Sequence, residues 1–361
     1  MPIQLVPYTR LLKRLFLGQS SLQTVAYQQD ILCPEEKVTL RPALFLPGQV
    51  ERVKDYKATD AVAVTTKEKE IVEAVSTTVT YAPVIAYHIK DAVLFDGSIY
   101  VGRFKHPIAD NSLFHLGSRK LNHINSCALA STYLGTKFFG HWLLDDCTKY
   151  LLAEEISKPL CLRMPPYGHL QQYEAYFGQD WSPTDRAHIE HLVIFQDFAQ
   201  NSLKRNRYKI LRDRIRARFT RNTPQTLIYL RRGTTGVRRI IQNEDKIIDG
   251  LIKRGFFVLD IAIHSLEHII EKLSNAKMVV SLEGSHNDHC ALACPENSGL
   301  LVLQPADRFA AFQRAWCECI GIRYGFVVGE VQHAGYDFSL SEILRTVELL
   351  LNEIDTDQHC H

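Results

Sequence analysis

Residues 227–304 constrain the fold most, because short apolar runs and amphipathic runs alternate along this stretch. The apolar runs are short and rich in Val, Ile and Leu, as in buried strands, whereas the runs between them repeat apolar residues at helical spacing. The predicted strands are residues 227–230, 256–261, 278–282 and 299–303. Such alternation buries both faces of a parallel sheet, with right-handed crossovers. The sequence therefore predicts an α/β fold.

The first of these strands runs into a basic turn. Residues 231–239 contain two glycines and four arginines: Arg231, Arg232, Arg238 and Arg239. Arginine binds phosphate oxygens bidentately and stays protonated, so guanidinium groups at the carboxyl end of a strand suit a departing diphosphate. The alternative is a solvated basic loop. Glu244, in the first turn of the next predicted helix, is either a functional acid or a residue that only stabilises the helix end.

A second polar turn, Glu283-Gly284-Ser285, ends the strand predicted at residues 278–282. Gly284 would let the backbone approach a ligand, and the amides that follow it could bind a phosphate or ribose oxygen. An ordinary turn between a strand and a helix is the alternative. The histidines and cysteines just beyond it are expected to pack in the core, because zinc sites usually combine two well-separated pairs of ligands.

A βα rhythm also begins at Cys127, and it includes a helix predicted over residues 139–156. His141 and Asp145 lie four residues apart near the start of that helix, and so on one face of it. A carboxylate, or a histidine held by one, can take the proton from an acceptor hydroxyl. The alternative is a surface helix whose acids and histidine have no chemical role. Asp146 points elsewhere and is a reserve candidate.

Three of these motifs together resemble glycosyltransferase family 61. They are Tyr-Leu-Arg-Arg-Gly at residues 229–233, Arg-Arg-Ile-Ile-Gln-Asn-Glu-Asp at residues 238–245 and His-Trp-Leu-Leu-Asp-Asp at residues 141–146. The resemblance implies a GT-B fold, in which two Rossmann-like parallel-sheet domains face each other across a cleft. It also implies an inverting, metal-independent enzyme without a cofactor, possibly in polysaccharide biosynthesis. The donor would be a nucleotide-diphosphate sugar, usually a UDP-sugar, and the acceptor a glycan or other hydroxyl.

The resemblance also implies roles for individual residues. Asp145 would be the base, and His141 would orient it or the acceptor. The nucleotide-sugar site would comprise Arg231, Arg232, Arg239, Glu244, Glu283, Gly284, Ser285 and His289, with Arg231 and Arg239 on the diphosphate. Glu283 and His289 stand where much of the family has His and Asn.

The length of 361 residues is enough for two domains. We predict a β-rich leader over residues 1–90, an acceptor-side domain over 91–221 and a nucleotide-sugar-binding domain over 222–361, with a hairpin at Asp96-Gly97. Nine cysteines without a disulfide framework, and no secretory or membrane-spanning segment, predict a cytoplasmic protein. A net charge of +2 gives no reason to expect nucleic acid, and peripheral membrane association stays open.

Two other functions fit the same kind of sheet. A non-catalytic module that binds a nucleotide or a sugar would keep the fold without the chemistry. A dinucleotide-dependent oxidoreductase is the weaker alternative, because no Gly-x-Gly-x-x-Gly follows any predicted strand.

Overall fold

The computed structural model of the chain describes residues 20–56, 65–110, 120–163, 167–219, 225–233 and 239–359, together with Thr9, Leu12 and Gly18. The chain forms two compact units. The first comprises Met1–Glu36 and Thr80–Ala199, and the second comprises Lys37–Val79 and Gln200–His361. Residues 1–90 are thus divided between the two units by their contacts, and the functional division at residues 90 and 221 stays a prediction.

The first unit contains a seven-stranded mixed sheet. Its strands are β1 (Gln28–Cys33), β4 (Val84–Phe95), β5 (Ser98–Val101), β6 (Phe104–Pro107), β7 (Asn122–Leu129), β8 (Pro159–Leu160) and β9 (Ala187–Gln196). The order is β6-β5-β4-β9-β7-β8, and β1 also pairs with β4. Only β7 has parallel partners, β8 and β9, whereas the other pairings are antiparallel. The expected parallel array is therefore limited here to three strands, because hairpins build the rest of the sheet.

The hairpin predicted at Asp96-Gly97 is confirmed and joins β4 to β5. Both residues have positive φ angles, 43° and 69°, as a two-residue hairpin turn of type I′ requires. The two remaining strands of the N-terminal region, β2 (Glu36–Thr39) and β3 (Thr78–Tyr81), form a separate two-stranded sheet at the points where the chain passes from one unit to the other.

Helices of the first unit include the one predicted over residues 139–156. It consists of α3 (Phe139–His141), a π-helical turn (Trp142–Asp146) and α4 (Cys147–Ile156). The described residues of this unit also form α1 (Leu22–Val25) and α5 (Leu170–Phe177). Apolar side chains of β4, β5, β7 and β9 form the core beneath them.

The second unit contains a six-stranded sheet, in which five neighbouring strands are parallel. The strands are β10 (Thr226–Arg231), β11 (Phe256–Asp260), β12 (Ala276–Leu282), β13 (Gly299–Pro305), β14 (Arg323–Gln332) and the antiparallel β15 (Gly335–Asp337). The order is β11-β10-β12-β13-β14-β15. Each strand predicted from the alternating pattern is confirmed, and the α/β fold with it.

The described helices of this unit are α2 (Lys67–Val75), α6 (Ser202–Arg216), α7 (Glu244–Ile252), α8 (Leu266–Leu273), α9 (Asp288–Ala293), α10 (Phe312–Ile320) and α11 (Leu340–His359). Apolar side chains of α7 and α11 pack on the sheet. Ser265 caps α8, since its Oγ accepts a hydrogen bond from the His268 amide at 3.3 Å. Within the described parts of the chain, no helix combines the length and the apolar character needed to cross a membrane.

Candidate active site

The two catalytic candidates of the first unit lie at the π-helical turn, with Asp145 inside it and His141 directly before it. His141 Nδ1 lies 2.7 Å from Asp145 Oδ2, so the predicted shared face is confirmed as a direct contact. The two side chains are 39% and 24% exposed, so water or a ligand can reach both. Single π turns within α-helices are rare, and they occur frequently at functional sites. The carboxylate of Asp145 and the imidazole of His141 are therefore joined by one hydrogen bond.

Asp146 anchors this turn from the buried side. The Thr132 amide lies 3.1 Å from both carboxylate oxygens of Asp146, and the Thr132 hydroxyl donates to Oδ1 at 2.7 Å. A Cβ atom on Gly135 would collide with the same carboxylate. Burial raises the pKa of Asp146 to about 7, and the charge of Lys149 opposes this effect. Asp146 is therefore placed to hold the turn and not to contact a substrate.

Aromatic packing holds the other side of the motif. Trp142 is fully buried, with ring centroids 6.0 Å from Phe139 and 5.6 Å from Trp181. Each large ring that is buried in such a cluster resists movement of the backbone that carries it. The two exposed candidates, His141 and Asp145, thus project from a fixed piece of helix.

In the second unit, the polar turns after β10 and β12 come together around Glu283. Arg232 Nη1 donates to the carbonyl oxygen of Glu283 at 3.3 Å, and Arg239 Nη1 donates to the same oxygen at 3.1 Å. Arg239 Nη1 also lies 3.1 Å from the Glu283 carboxylate, and both of these side chains are less than a tenth exposed. Arg238 lies outside the described residues. Two of the predicted arginines therefore converge on the second predicted turn.

Gly284 makes this convergence possible. Its φ of +151° lies in a region that only glycine readily adopts. A Cβ atom there would lie 3.0 Å from His286 Nδ1, 3.1 Å from Arg239 Nη1 and 3.2 Å from Arg232 Nη1. The absence of a side chain at Gly284 thus leaves room for two guanidinium groups and an imidazole. Nothing in the sequence indicated that the imidazole of His286 would lie beside these arginines.

Arg231 belongs to a different cluster. Its Nη2 lies 3.1 Å from Glu244 Oε2, and its Nη1 lies 3.9 Å from Asp260 Oδ2. The hydroxyl of Tyr229 donates to the other oxygen of Glu244 at 2.9 Å. The negative charge of Glu244 raises the pKa of Arg231 further. Two carboxylates therefore offset this arginine, whereas Arg232 and Arg239 share one.

Arg232 lies near two other arginines, Arg239 and Arg308, and near the charge of Glu283. Burial and the neighbouring charge of Arg239 lower the pKa of Arg232 to about 10, and the charge of Arg308 acts in the same direction. Arg308 ends the 3₁₀ turn (Ala306–Arg308) that follows β13, another parallel strand. Its position after a parallel strand was the signal that could have identified Arg308 from the sequence. Such an arrangement attracts an anion.

Part of the amino-acid sequence matches a known protein family. Residues 139–301 match the family model described as Glycosyltransferase 61. The resemblance to glycosyltransferase family 61 is confirmed. The matched stretch includes the His141–Asp145 pair as well as Arg232, Arg239 and Gly284. Over these residues the chain is thus similar to glycosyltransferases, which transfer a sugar from a donor to an acceptor.

Other comparisons add little to the family 61 match. A search of curated proteins gave no match. Among solved structures, a mutant flavo di-iron protein from Thermotoga maritima is 9% identical, with a TM-score of 0.28. That similarity covers 75% of this chain and 64% of the other, so the chain spans less than two thirds of that protein's length. A similarity at this level carries no argument about fold or function.

The remaining family 61 positions lie on or beside the short helix α9. Ser285 begins a 3₁₀ turn (Ser285–Asn287) and is partly buried, whereas His289 is 1% exposed. Cys290 and Cys294 are also buried, as expected for core residues. The guanidinium of Arg212 donates to the carbonyl oxygens of Ala291 and Cys294, which fixes the end of α9. Among the described side chains, no group of three or more His, Cys, Asp or Glu could hold a metal ion.

Proposed function

We propose that the chain is an inverting glycosyltransferase that uses a nucleotide-diphosphate sugar, most simply a UDP-sugar, and a hydroxyl acceptor on a glycan. The observation that carries this proposal is the convergence of Arg232 and Arg239 beside Gly284, at the carboxyl ends of parallel strands. Ligands of α/β sheets bind at these ends. We assign this activity to polysaccharide biosynthesis.

The donor step needs positive charge where the diphosphate leaves. Two guanidinium groups that are fixed on one carbonyl oxygen, with Arg308 nearby, supply that charge without a metal ion. We assign the diphosphate to Arg232 and Arg239 and not to Arg231, because Glu244 and Asp260 already offset the charge of Arg231. Fixed donors cost little reorganisation during the reaction, and this favours the leaving group.

The acceptor step needs a base. The acceptor oxygen attacks the anomeric carbon from the face opposite the diphosphate, and the bond from that carbon to the phosphate oxygen breaks. Its electron pair leaves with the nucleoside diphosphate, and the hydroxyl proton goes to the carboxylate of Asp145. His141, 2.7 Å from that carboxylate, holds it in place. The alternative is that His141 is the base and Asp145 orients it.

Two broader expectations belong to the same proposal. The GT-B arrangement remains a prediction, and it is supported by parallel strands in both units. A cytoplasmic location also remains a prediction. It is supported by the cysteines within the described residues, which are buried thiols.

Thermal unfolding in the presence of UDP-, GDP-, CMP- and dTDP-sugars tests the donor. A ligand at about 100 times its Kd adds about 2.7 kcal/mol to the free energy of unfolding. The stabilising donor is then incubated with the native protein and with Asp145→Asn, and release of the nucleoside diphosphate is measured. We expect turnover only by the native protein and equal binding by both. Binding without turnover by the native protein would favour a non-catalytic module, and stabilisation by NAD alone would favour an oxidoreductase.

A further inference from the structure

We propose that His286 is a ligand-binding residue of the donor site, whose Nδ1 accepts a hydrogen bond from a sugar hydroxyl while Arg232 and Arg239 bind the adjacent phosphate. The hydroxyl belongs either to the ribose or to the transferred sugar. This inference rests on the proposed function, because it assumes that a nucleotide sugar occupies the site.

Hydrogen bonds fix the protonation of the imidazole. The Ser281 hydroxyl donates its proton to the carbonyl oxygen of Leu230 at 2.8 Å. Since a hydroxyl has only one proton, Ser281 Oγ accepts from His286 Nε2, which lies 2.7 Å away. Burial and the positive charge of Arg232 hold the pKa of His286 well below its ordinary value, so the ring is neutral. Nδ1 therefore carries a lone pair and no proton.

The position of Nδ1 points to a ligand. The ring is 5% exposed, and Nδ1 has no hydrogen-bond partner among the residues that the structure describes. A buried acceptor without a donor is unfavourable, so it is rare unless something else supplies the donor. Nδ1 faces the space beside Gly284 that it shares with the Nη1 atoms of Arg232 and Arg239. An acceptor thus lies within a group of donors.

A phosphate oxygen can satisfy the arginines but not Nδ1, because a diphosphate ester carries no proton at neutral pH. The ligand must bring a donor within a few bonds of the phosphate. In a nucleotide sugar, the hydroxyls of the ribose and of the transferred sugar meet this requirement.

Two variants separate the role of Nδ1 from the role of the ring in folding. His286→Gln keeps an N–H donor near Ser281 but places no acceptor at the Nδ1 position. His286→Asn is the matched control, because its shorter amide places an oxygen near the Nδ1 position and gives up the contact with Ser281. If His286 has a purely structural role, His286→Gln should retain more ligand affinity than His286→Asn. If Nδ1 binds the ligand, His286→Asn should retain more affinity than His286→Gln.

Isothermal titration of the full chain with pyrophosphate, UDP and UDP-glucose tests the proposal. For His286→Gln, we expect unchanged affinity for pyrophosphate and about fivefold weaker binding of the ligand that carries the hydroxyl, the usual effect of one lost hydrogen bond. Weaker binding of both UDP and UDP-glucose assigns the hydroxyl to the ribose, and weaker binding of UDP-glucose alone assigns it to the transferred sugar. His286→Asn should restore the affinity.

Equal affinity of His286→Gln and the native protein for all three ligands would overturn the inference. An equal loss for all three, pyrophosphate included, would also overturn it, because the ring would then act only on the fold of the arginine cluster. If the native protein binds none of them, the donor site itself is wrong, and the role of His286 falls with it. If instead the native protein and His286→Gln bind all three ligands equally well, the donor site is correct and only the role of His286 is wrong.

Discussion

Replacement of Asp146 by Asn should change how the stability of the first unit depends on pH. The side chain is fully buried, and burial raises its pKa from 3.8 to about 7. A carboxyl whose pKa is higher in the folded chain than in the unfolded chain is protonated more readily when folded. Its contribution therefore favours folding at low pH and is lost as the pH rises from about 4 to 7. A difference of about three in pKa corresponds to roughly 4 kcal/mol.

Urea unfolding followed by tryptophan fluorescence measures this effect. In a Trp316→Phe background, the remaining tryptophans, Trp142 and Trp181, both belong to the first unit. The free energy of unfolding of the parent minus that of Asp146→Asn should fall by roughly 3 kcal/mol between pH 4.5 and 8. Asp185→Asn, at an exposed site of the same unit, is the control and should give a constant difference.

A pH-independent difference for Asp146→Asn would refute this reasoning. It would mean that the charge of Lys149 and the hydrogen bonds from Thr132 keep Asp146 ionised throughout the range. The turn would then be held by a buried ion pair and not by a neutral acid.

Three further predictions concern the proposed reaction. Asp145→Asn should lower turnover by about 10² to 10⁴ with unchanged UDP affinity, and turnover within tenfold of the native rate would remove Asp145 from the role of base. Gly284→Ala should cost about 1 to 3 kcal/mol in urea unfolding, because alanine rarely adopts its φ of +151°, and should weaken UDP binding. Gly168→Ala, whose Cβ would meet nothing within 4 Å, is its control, and equal behaviour of the two would contradict the crowding argument. Dialysis against EDTA should leave turnover intact, and a loss that added Mn²⁺ restores would contradict a metal-independent mechanism.

Local patterns predicted the elements of the second unit well. The strands β10 to β13 were evident because each is a short apolar run between polar turns. The turn at Asp96-Gly97 in the first unit was evident because it depends only on neighbouring residues. Likewise, the contact of His141 with Asp145 follows from their spacing on one helix. The π-helical turn between them leaves no such signature, since it depends on packing around Trp142 and Asp146.

Contacts between distant strands could not be predicted in the same way. Arg231 meets Asp260 because β10 and β11 pair with these two residues in register, and nothing near Arg231 in the sequence indicates that partner. The side chain of His286 was expected only to pack in the core for a similar reason, since its environment comes from Ser281 and from the arginines after β10. The antiparallel part of the first sheet was missed because strand direction depends on how the hairpins connect.

The affinity of Arg232→Gln for UDP tests the central claim, that guanidinium groups beside Gly284 bind the diphosphate, most directly. Arg254→Gln is the control, because Arg254 is 58% exposed and pairs with Glu348 at the surface. We predict at least about tenfold weaker UDP binding by Arg232→Gln, as expected for the loss of a charged hydrogen bond, and unchanged binding by Arg254→Gln. Equal UDP affinity of Arg232→Gln and the native protein would contradict the account.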